Sequence, residues 1–296
     1  MKIIRKNNRI TTFSKKHSPA VLVSLEENFI VETIDCYCGQ IKNKKDLRSQ
    51  IDSSLVNAST GPIFIKDTFP GDIICVTIHK IRLDSQGLIL TFPGLGPLGD
   101  LIFQENTRIL PVKDGLAYFN EKIIIPVNPM IGVIGVAPVT EEVSCESPGD
   151  HGGNMDTKDI KEGSKVYLPI FVKGGNLAIG DLHAIMGDGE LSGMAIEIGG
   201  KVELGISKVE NHFDLKMPIV ETESEYLVIA SEENFEKAAK KGIWYATELL
   251  QKNLNISFED AYCLLSATCD LRVSQIVNPL ITIRVAIPKS ILSILF

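Results

Sequence analysis

The sequence predicts a β-dominated α+β fold in which two β modules of barrel or sandwich type are followed by helices late in the chain. Between residue 20 and about residue 230, short segments rich in Val, Ile, Phe and Tyr are separated by Gly, Pro and Asp. This pattern is typical of short strands joined by turns. Helical patterns begin only after that region. We expect one unit over 1–296, with sub-modules at 1–140, 141–230 and 231–296.

Two segments of the β region share an order of features. "PIFIKDTFPGD" at 62–72 and "PIFVKGGNLAIGD" at 169–181 each have an apolar strand, a turn and then Gly-Asp before another apolar run. The similarity favours two related β modules. The same order also arises by chance in β proteins, so both interpretations stay open.

Two helices and a closing strand are predicted after the β region. The first helix runs near 231–251 from Ser231, which serves as its N-cap in "SEENFEKAAKKGIWYATELLQ". The second spans 257–268, where Ser257 and Asp260 form a capping box with Asp in place of the usual Glu. "ITIRVAI" at 281–287 alternates strictly, as a half-buried strand does.

Composition excludes several classes of protein. With 44% apolar and 23% charged residues and no apolar run of roughly 20 residues, the 296-residue chain fits a soluble fold without a membrane span. The N-terminal segment lacks a signal-peptide pattern, and six scattered cysteines fit reduced thiols, so we expect a cytoplasmic protein. A net charge of −7 argues against a nucleic acid partner. The apolar segment "ILSILF" at 291–296 predicts a homo-oligomer, most simply a dimer.

One dense ionisable stretch is "GDLHAIMGDGELSG" at 180–193. Strand alternation places Asp181 and His183 on one face, and a turn at Gly187 and Gly189 brings the following acids back beside them. The acids of that turn are Asp188 and Glu190. The stretch therefore predicts a convergent polar site, although a polar turn is the simpler structural alternative.

A second dense stretch is "SPGDHGGNMDTKDI" at 147–160, which places His151, Asn154 and Asp156 around a Gly-Gly pair. Glycine permits positive φ and close backbone approach, as metal-binding loops require. Imidazole with carboxylate is a ligand set for Zn²⁺, or for Fe and Mn where oxygen predominates. Two such stretches in one chain favour a divalent metal site over two unrelated polar turns.

Both stretches carry a family resemblance. "PGDHGGNMD" at 148–156 and "GDLHAIMGDGELSGMAIE" at 180–197 resemble the signature segments of the acetamidase/formamidase family. "VETIDCYCGQI", "TGPIFIKDTFPGDIICVTI" and "SATCDLRVSQIVNP" are similar to that family's pattern in the same order. The chain departs at "NASTGPI", which has Ala58 where the family usually shows Asn-Pro. The resemblance implies that a short amide, of formamide or acetamide type, is hydrolysed to ammonia and carboxylate on a β-dominated fold that binds a divalent metal.

The two stretches and the segment "VETID" supply the candidate residues. The predicted metal ligands are His151, Asp156, Asp181, His183 and Asp35. The predicted catalytic residues are Glu190, as general base, with Glu32 and Asp188. The predicted substrate-binding residues are Asn154, Gly152 and Gly153. A divalent ion, with Zn²⁺ favoured, polarises a poorly electrophilic amide, and a carboxylate carries a proton from water to the departing nitrogen.

Two alternatives remain at this stage. Cys145 precedes the Gly-Gly stretch and is a candidate nucleophile, although a buried structural thiol is the more common state of such a residue. The second alternative is a non-catalytic β protein that is stabilised by Ca²⁺ and binds small molecules. Participation of His151 and His183 would favour a transition metal and catalysis, because Ca²⁺ rarely binds imidazole.

Overall fold

Strands dominate the fold, as the alternating apolar segments predict. The computed structural model describes residues 1–140, 142–209, 214–293 and 295. Within them the strands are β1 Lys2–Ile4, β2 Arg9–Ile10, β3 Thr12–Phe13, β4 Val21–Val23, β5 Asn28–Thr33, β6 Ser59–Ile65, β7 Ile73–Thr91, β8 Asn106–Lys113, β9 Leu116–Tyr118, β10 Ile124–Pro126, β11 Met130–Gly135, β12 Val143–Ser144, β13 Pro148–Gly149, β14 Gly152–Asn154, β15 Lys165–Pro169, β16 Leu177–His183, β17 Glu197–Lys208, β18 Ile219–Glu221, β19 Glu225–Glu232, β20 Asp270–Gln275 and β21 Ile281–Pro288.

Two α-helices follow the β region, which confirms the β-dominated α+β class. They are α1 Phe235–Leu254 and α2 Phe258–Thr268, and three short 3₁₀ turns lie at Arg48–Gln50, Ser53–Leu55 and Gly99–Leu101. The capping serine predicted for α2 is confirmed, because the Ser257 side chain accepts a hydrogen bond from the Asp260 amide. The closing strand is also confirmed, as β21. No helix in the described ranges is long and apolar enough to cross a membrane.

The predicted start of the first helix is wrong. Ser231 lies in β19, where its Oγ is 3.0 Å from Oγ1 of Thr282 on β21. The apolar run before it continues as a strand because β19 pairs with β21 along its whole length. The N-cap is Asn234, whose side chain accepts a hydrogen bond of 2.9 Å from the Lys237 amide.

Strand β17 organises the sheet. It pairs antiparallel with β7 from Glu197 opposite Leu88 to Lys208 opposite Ile74, and its middle pairs with β5. At its start it pairs with β16, which also pairs with β11 and β6. The two segments with similar feature order therefore meet in one sheet, since they contribute β6 and β16. All seven residues of β16 are buried, so its polar side chains lie inside the protein.

The helices cover β19 and β21 and form a second hydrophobic core there. Leu292 and Leu295 belong to this core and are 3% and 2% exposed. Ile294 and Phe296 of the same apolar segment lie outside the described residues. The segment that motivated the oligomer prediction thus buries two of its leucines within the chain, and the oligomeric state stays a prediction.

Candidate functional site

Neighbouring strands place three ionisable side chains together inside the protein. Asp181 and His183 lie two residues apart on β16, and Glu197 at the start of β17 is the register partner of His183. The Nε2 atom of His183 lies 3.5 Å from Oδ2 of Asp181 and 3.3 Å from Oε2 of Glu197. All three side chains are at most 4% exposed. The pairing of β16 with β17 therefore fixes the relative positions of these three side chains.

Two loops add the remaining acids. Asp156 follows β14, and its Oδ1 lies 3.8 Å from Nε2 of His183. Glu190 lies in the turn after β16, and ligand atoms of Asp156, His183 and Glu190 all lie within 4.8 Å of one another. These five residues, Asp156, Asp181, His183, Glu190 and Glu197, are called the acid–histidine cluster below. The strands and the loops thus bring four carboxylates around one imidazole.

A cysteine extends the cluster on one side. Cys36 follows β5, and its Sγ lies within 4.8 Å of carboxylate oxygens of Asp181 and Glu197, which also lie within that distance of each other. The described residues therefore contain two adjacent groups of three ligand atoms, one with imidazole and one with thiol.

Local backbone geometry serves the cluster. Asp156, Asp181 and Glu190 have φ of +42°, +54° and +48°, a region that residues other than glycine rarely adopt. Gly132 on β11 leaves room for two of the acids, because a Cβ there would lie 2.5 Å from Oδ1 of Asp156 and 2.8 Å from Oδ2 of Asp181. Strained backbone conformations of this kind cluster at functional sites.

Burial and like charge shift the protonation of the cluster. Burial raises the pKa of Asp156 to about 6 and the pKa of Glu197 to about 7, with a further contribution from the charge of Asp181 in each case. Burial and the Asp156 carboxylate raise the pKa of Glu190 well above its usual range. Burial disfavours the imidazolium of His183, but Glu197 and Asp181 outweigh this effect and raise its pKa. The cluster therefore requires positive charge, from protons or from a cation.

The donor atoms fit a divalent metal. Seven buried side-chain atoms of the described residues lack a hydrogen bond of good geometry, and four of them lie in the cluster: Oδ1 of Asp181, Oε2 of Glu197 and both ring nitrogens of His183. The other three are Nε2 of His151, Oδ2 of Asp159 and Nε of Arg284. Buried polar atoms are normally satisfied, so such atoms point to a missing partner. Imidazole, carboxylate and thiol together are a ligand set for Zn²⁺ and related ions.

Three asparagines hold the carboxylates in place. Nδ2 of Asn278 donates to Oδ2 of Asp156 at 2.6 Å, and Nδ2 of Asn57 lies 3.4 Å from Oδ2 of Asp181. With its amide nitrogen turned toward the acids, Asn154 donates to both carboxylates at 3.2 Å. These hydrogen bonds fix the oxygen atoms that would face a metal, which is the usual role of residues behind metal ligands.

A cavity of about 180 Å³ opens onto the cluster. Asp156, Asp181, Glu190 and Glu197 line it together with Asn154. Apolar side chains form another part of its wall: Tyr37, Val56, Phe92, Leu95 and Met194. A space of this size, with polar groups on one side and apolar groups on another, suits a small molecule.

The structure brings together some of the residues predicted from the sequence. Asp156, Asp181, His183 and Glu190 lie in the cluster, and Asn154 lies beside it. Three others lie elsewhere. The carboxylate of Glu32 is 2.8 Å from Arg5 and 3.1 Å from Lys201, because alternation along β5 turns it away from the cavity. Asp35 follows the end of β5 and accepts hydrogen bonds from the amides of its own turn, at Tyr37 and Gly39. Asp188 pairs with Arg284 and Lys158.

His151 and the Gly-Gly pair after it lie outside the cluster and do not line the cavity, and Nε2 of His151 is buried without a hydrogen-bond partner among the described residues. His151 lies against Phe13, with ring centroids 5.1 Å apart, outside both groups of ligand atoms, and burial lowers its pKa to about 4. A Cβ at Gly152 would lie 2.3 Å from the Ile134 carbonyl oxygen, and one at Gly153 equally close to that of Ser147. The close approach of strands accounts for these two glycines.

Sequence reasoning did not single out Glu197 or Cys36. Glu197 closes the second signature stretch, but only the pairing of β16 with β17 shows that it faces His183. Cys36 lies in the C-x-C of "DCYC", a spacing that matches no common metal motif. A prediction that β16 pairs with β17 would have identified Glu197.

The fold and the site together define a class of protein: a β-sheet protein with a small-molecule cavity that is lined by potential metal ligands. Residues 7–144 and 140–294 match the model of the Acetamidase/Formamidase family. The chain belongs to the acetamidase/formamidase family.

Relatives and solved structures agree with this membership. A formamidase of Methylophilus methylotrophus is 28% identical over 261 residues, which is 67% of this chain and 64% of that protein. The chain thus spans just under two thirds of that relative's length. The crystal structure of an acetamidase from Bacillus halodurans superposes with a TM-score of 0.96 at 37% identity, covering 98% of each chain. A γ-lactamase from Delftia acidovorans, at 23% identity and a TM-score of 0.69 over 97% of this chain and 90% of that one, shares the fold.

Proposed function

We propose that this protein hydrolyses a short amide, of formamide or acetamide type, to ammonia and the carboxylate, and that it uses a divalent metal. The observation that carries the proposal is the convergence of Asp156, His183 and Glu190 beside a small cavity. Membership of the acetamidase/formamidase family supports it, as do relatives named formamidase and acetamidase.

The ligands we assign to the metal come from the cluster and its neighbour: Asp156, Asp181, His183, Glu197 and Cys36. Zn²⁺ fits best, because imidazole and thiolate are preferred Zn²⁺ ligands, whereas Ca²⁺ takes oxygen. The same donors argue against the alternative of a Ca²⁺-stabilised, non-catalytic protein. When bound, a divalent ion supplies Lewis-acid polarisation of the amide carbonyl and makes water more acidic.

Glu190 is our candidate for the proton-transfer group. Its carboxylate lines the cavity, and its raised pKa makes it a stronger base than an exposed glutamate. Glu190 takes a proton from the attacking water and gives it to the departing nitrogen, so that the amine leaves as ammonia. Asn154, Asn57 and Asn278 keep the neighbouring carboxylates fixed during this exchange.

The cavity supports a small substrate. A water, an amide group and a short acyl chain fit a space of about 180 Å³, and Phe92, Leu95 and Met194 offer apolar contact for the acyl chain. Which acyl chain is preferred depends on this wall.

Two substitutions separate the proposed roles. His183→Ala removes a ligand, so metal and activity should be lost together. Glu190→Gln should keep the metal and the fold while turnover falls by about 10²–10⁴-fold, the usual contribution of a positioned proton-transfer group. Glu203→Gln, the same change at a partly exposed acid of β17, is the control and should hydrolyse at the wild-type rate.

The measurements are elemental analysis of the purified protein and ammonia release from a panel of small amides, with and without chelator. Ammonia release at the full rate from chelated, metal-free protein would show that the metal proposal is wrong. A wild-type rate for Glu190→Gln would show the same of the base assignment.

We propose a cytoplasmic setting and a small-amide partner. All six cysteines are free in the described structure, as expected of a reducing compartment. Cell fractionation tests the location, because recovery from an extracellular or periplasmic fraction contradicts it.

A further inference from the structure

Arg284 on β21 is a charged side chain that is only 1% exposed. Its Nη2 donates to both carboxylate oxygens of Asp188 at 2.8 Å, and its Nε lies 2.8 Å from Oδ2 of Asp159. Its Nη1 donates to the Val273 carbonyl oxygen and lies 3.4 Å from Oγ of Ser274. The hydrogen bonds to Asp188 and Val273 hold the planar guanidinium in one orientation, and Asp159 adds an ion-pair contact without hydrogen-bond geometry.

The two acids that bind Arg284 lie on the two loops of the acid–histidine cluster. Asp159 follows Asp156 by three residues, and Asp188 precedes Glu190 by two. One cation thus joins the loop that carries Asp156 to the loop that carries Glu190. The contacts lie behind the cluster, since neither Arg284 nor its acids line the cavity.

The end of β20 and the residue after it hold the same two loops. The Ser274 carbonyl oxygen accepts from the Gly189 amide at 2.9 Å, and Oγ of Ser274 lies 2.9 Å from Oγ1 of Thr157. The Gly189 carbonyl oxygen accepts from the Ile276 amide at 3.2 Å. These bonds repeat the pattern of Arg284, with one partner on each loop.

A connection of this kind meets a physical need. Asp156 and Glu190 are buried acids in left-handed backbone conformations on two separate loops, so the distance between them depends on what holds those loops together. A loop held only by its own turn would be free to shift relative to the other. The Arg284 guanidinium is buried although Asp159 and Asp188 are partly exposed, so loss of either acid leaves a buried charge with too few partners, and the link is costly to break.

We propose that Arg284 is a positioning residue that sets the distance between Asp156 and Glu190 through Asp159 and Asp188. The proposal rests on the proposed function. It also gives Asp188 a role, since its carboxylate anchors the Glu190 loop and does not face the substrate.

The test is a double-mutant cycle with Arg284→Gln, Asp188→Asn and the combined variant. Each single variant should lose about 10²-fold in kcat, the cost of misplacing reacting groups by about 1 Å, with KM nearly unchanged. The combined variant should lose no more than Arg284→Gln alone, because both changes break one connection. Asp188 is partly exposed, so Asp188→Asn gives a folded variant even where Arg284→Gln does not.

Two controls separate positioning from general stability. Arg272→Gln on β20 breaks a bidentate pair with Glu225, at 2.7 and 2.8 Å, and the Arg272 side chain bonds Glu225 and Asp270 but neither loop. Lys158→Gln removes the other cation that pairs with Asp188. Both should keep the wild-type kcat. An equal loss of kcat in Arg272→Gln would overturn the proposal, as would full additivity in the cycle or a wild-type kcat for Asp188→Asn.

A crystal structure of Asp188→Asn distinguishes this proposal from the proposed function. If wild-type protein releases no ammonia, the proposed function is wrong, and the structure alone decides the positioning role. Displacement of Glu190 relative to His183 supports that role, and an unchanged separation refutes it.

Discussion

Three acids of the acid–histidine cluster have strained backbone conformations, and Gly132 leaves the space that two of them, Asp156 and Asp181, occupy. Left-handed φ at Asp156, Asp181 and Glu190 costs about 1–3 kcal/mol per residue. In this strained geometry all three side chains lie close to His183. The site therefore depends on the free space beside Gly132 as much as on the identity of its ionisable side chains.

Gly132→Ala tests the need for space. The added methyl group would lie within 2.8 Å of carboxylate oxygens of Asp156 and Asp181, so the acids must move. We expect loss of bound metal and a fall of about 10²-fold in kcat, measured by elemental analysis and ammonia release. Gly187→Ala is the matched control, because a Cβ there meets nothing within 4 Å. Retention of metal and activity by Gly132→Ala would contradict the argument.

Cys145 is a structural thiol in this fold. It is fully buried among Ile10, Phe13 and Val133, and burial raises its pKa to about 12. Such a thiol is almost entirely protonated at pH 8. Its surroundings therefore explain it without a catalytic role.

Cys145→Ala should keep the wild-type rate of amide hydrolysis. In native protein at pH 8, Cys145 should also resist a thiol-specific disulfide reagent that labels the exposed Cys263, because the reagent requires a thiolate. Peptide mapping after labelling checks the second point. Loss of ammonia release in Cys145→Ala would instead support Cys145 as the catalytic nucleophile.

The elements show what a single sequence can predict. Alternation and caps are local, so β21 and the start of α2 at Ser257 follow from the residues themselves. Ser231 and Asn234 are both good caps, and pairing of β19 with β21 decides between them. Pairing also brings Glu197 to His183, which explains why the sequence identified Asp181 and His183 but not their partner.

Ser257→Ala tests the cap of α2. The substitution removes the acceptor of a hydrogen bond of 3.0 Å from the Asp260 amide, and loss of such a cap costs about 1 kcal/mol. The midpoint of urea unfolding should fall, with the rate of amide hydrolysis unchanged. Ser266→Ala, at an exposed position inside the same helix, should not lower the midpoint, and equal effects of the two changes would refute the capping role.

At the scale of the whole molecule, the surface carries an apolar loop. Leu98, Leu101 and Phe103 are 67%, 60% and 86% exposed. Exposed apolar side chains gathered on one loop are a feature expected of an interaction surface. With Leu292 and Leu295 buried within the chain, this loop is now the stronger reason to expect self-association.

We expect a homodimer, and Phe103→Ser combined with Leu101→Ser should shift it toward monomer. Sedimentation at micromolar concentration measures the change, and Leu271→Ser, at an exposed apolar residue outside the loop, is the control. A single species of 32.4 kDa for the unaltered protein would rule out the dimer.

The contact between Arg284 and Asp188 has a consequence for biosynthesis. The two residues are 96 positions apart, and translation produces the acid-bearing loops long before β21 leaves the ribosome. Until then the loops that carry Asp156 and Glu190 lack the guanidinium that joins them. The final spacing of the two loops can therefore be set only after β21 has been synthesised.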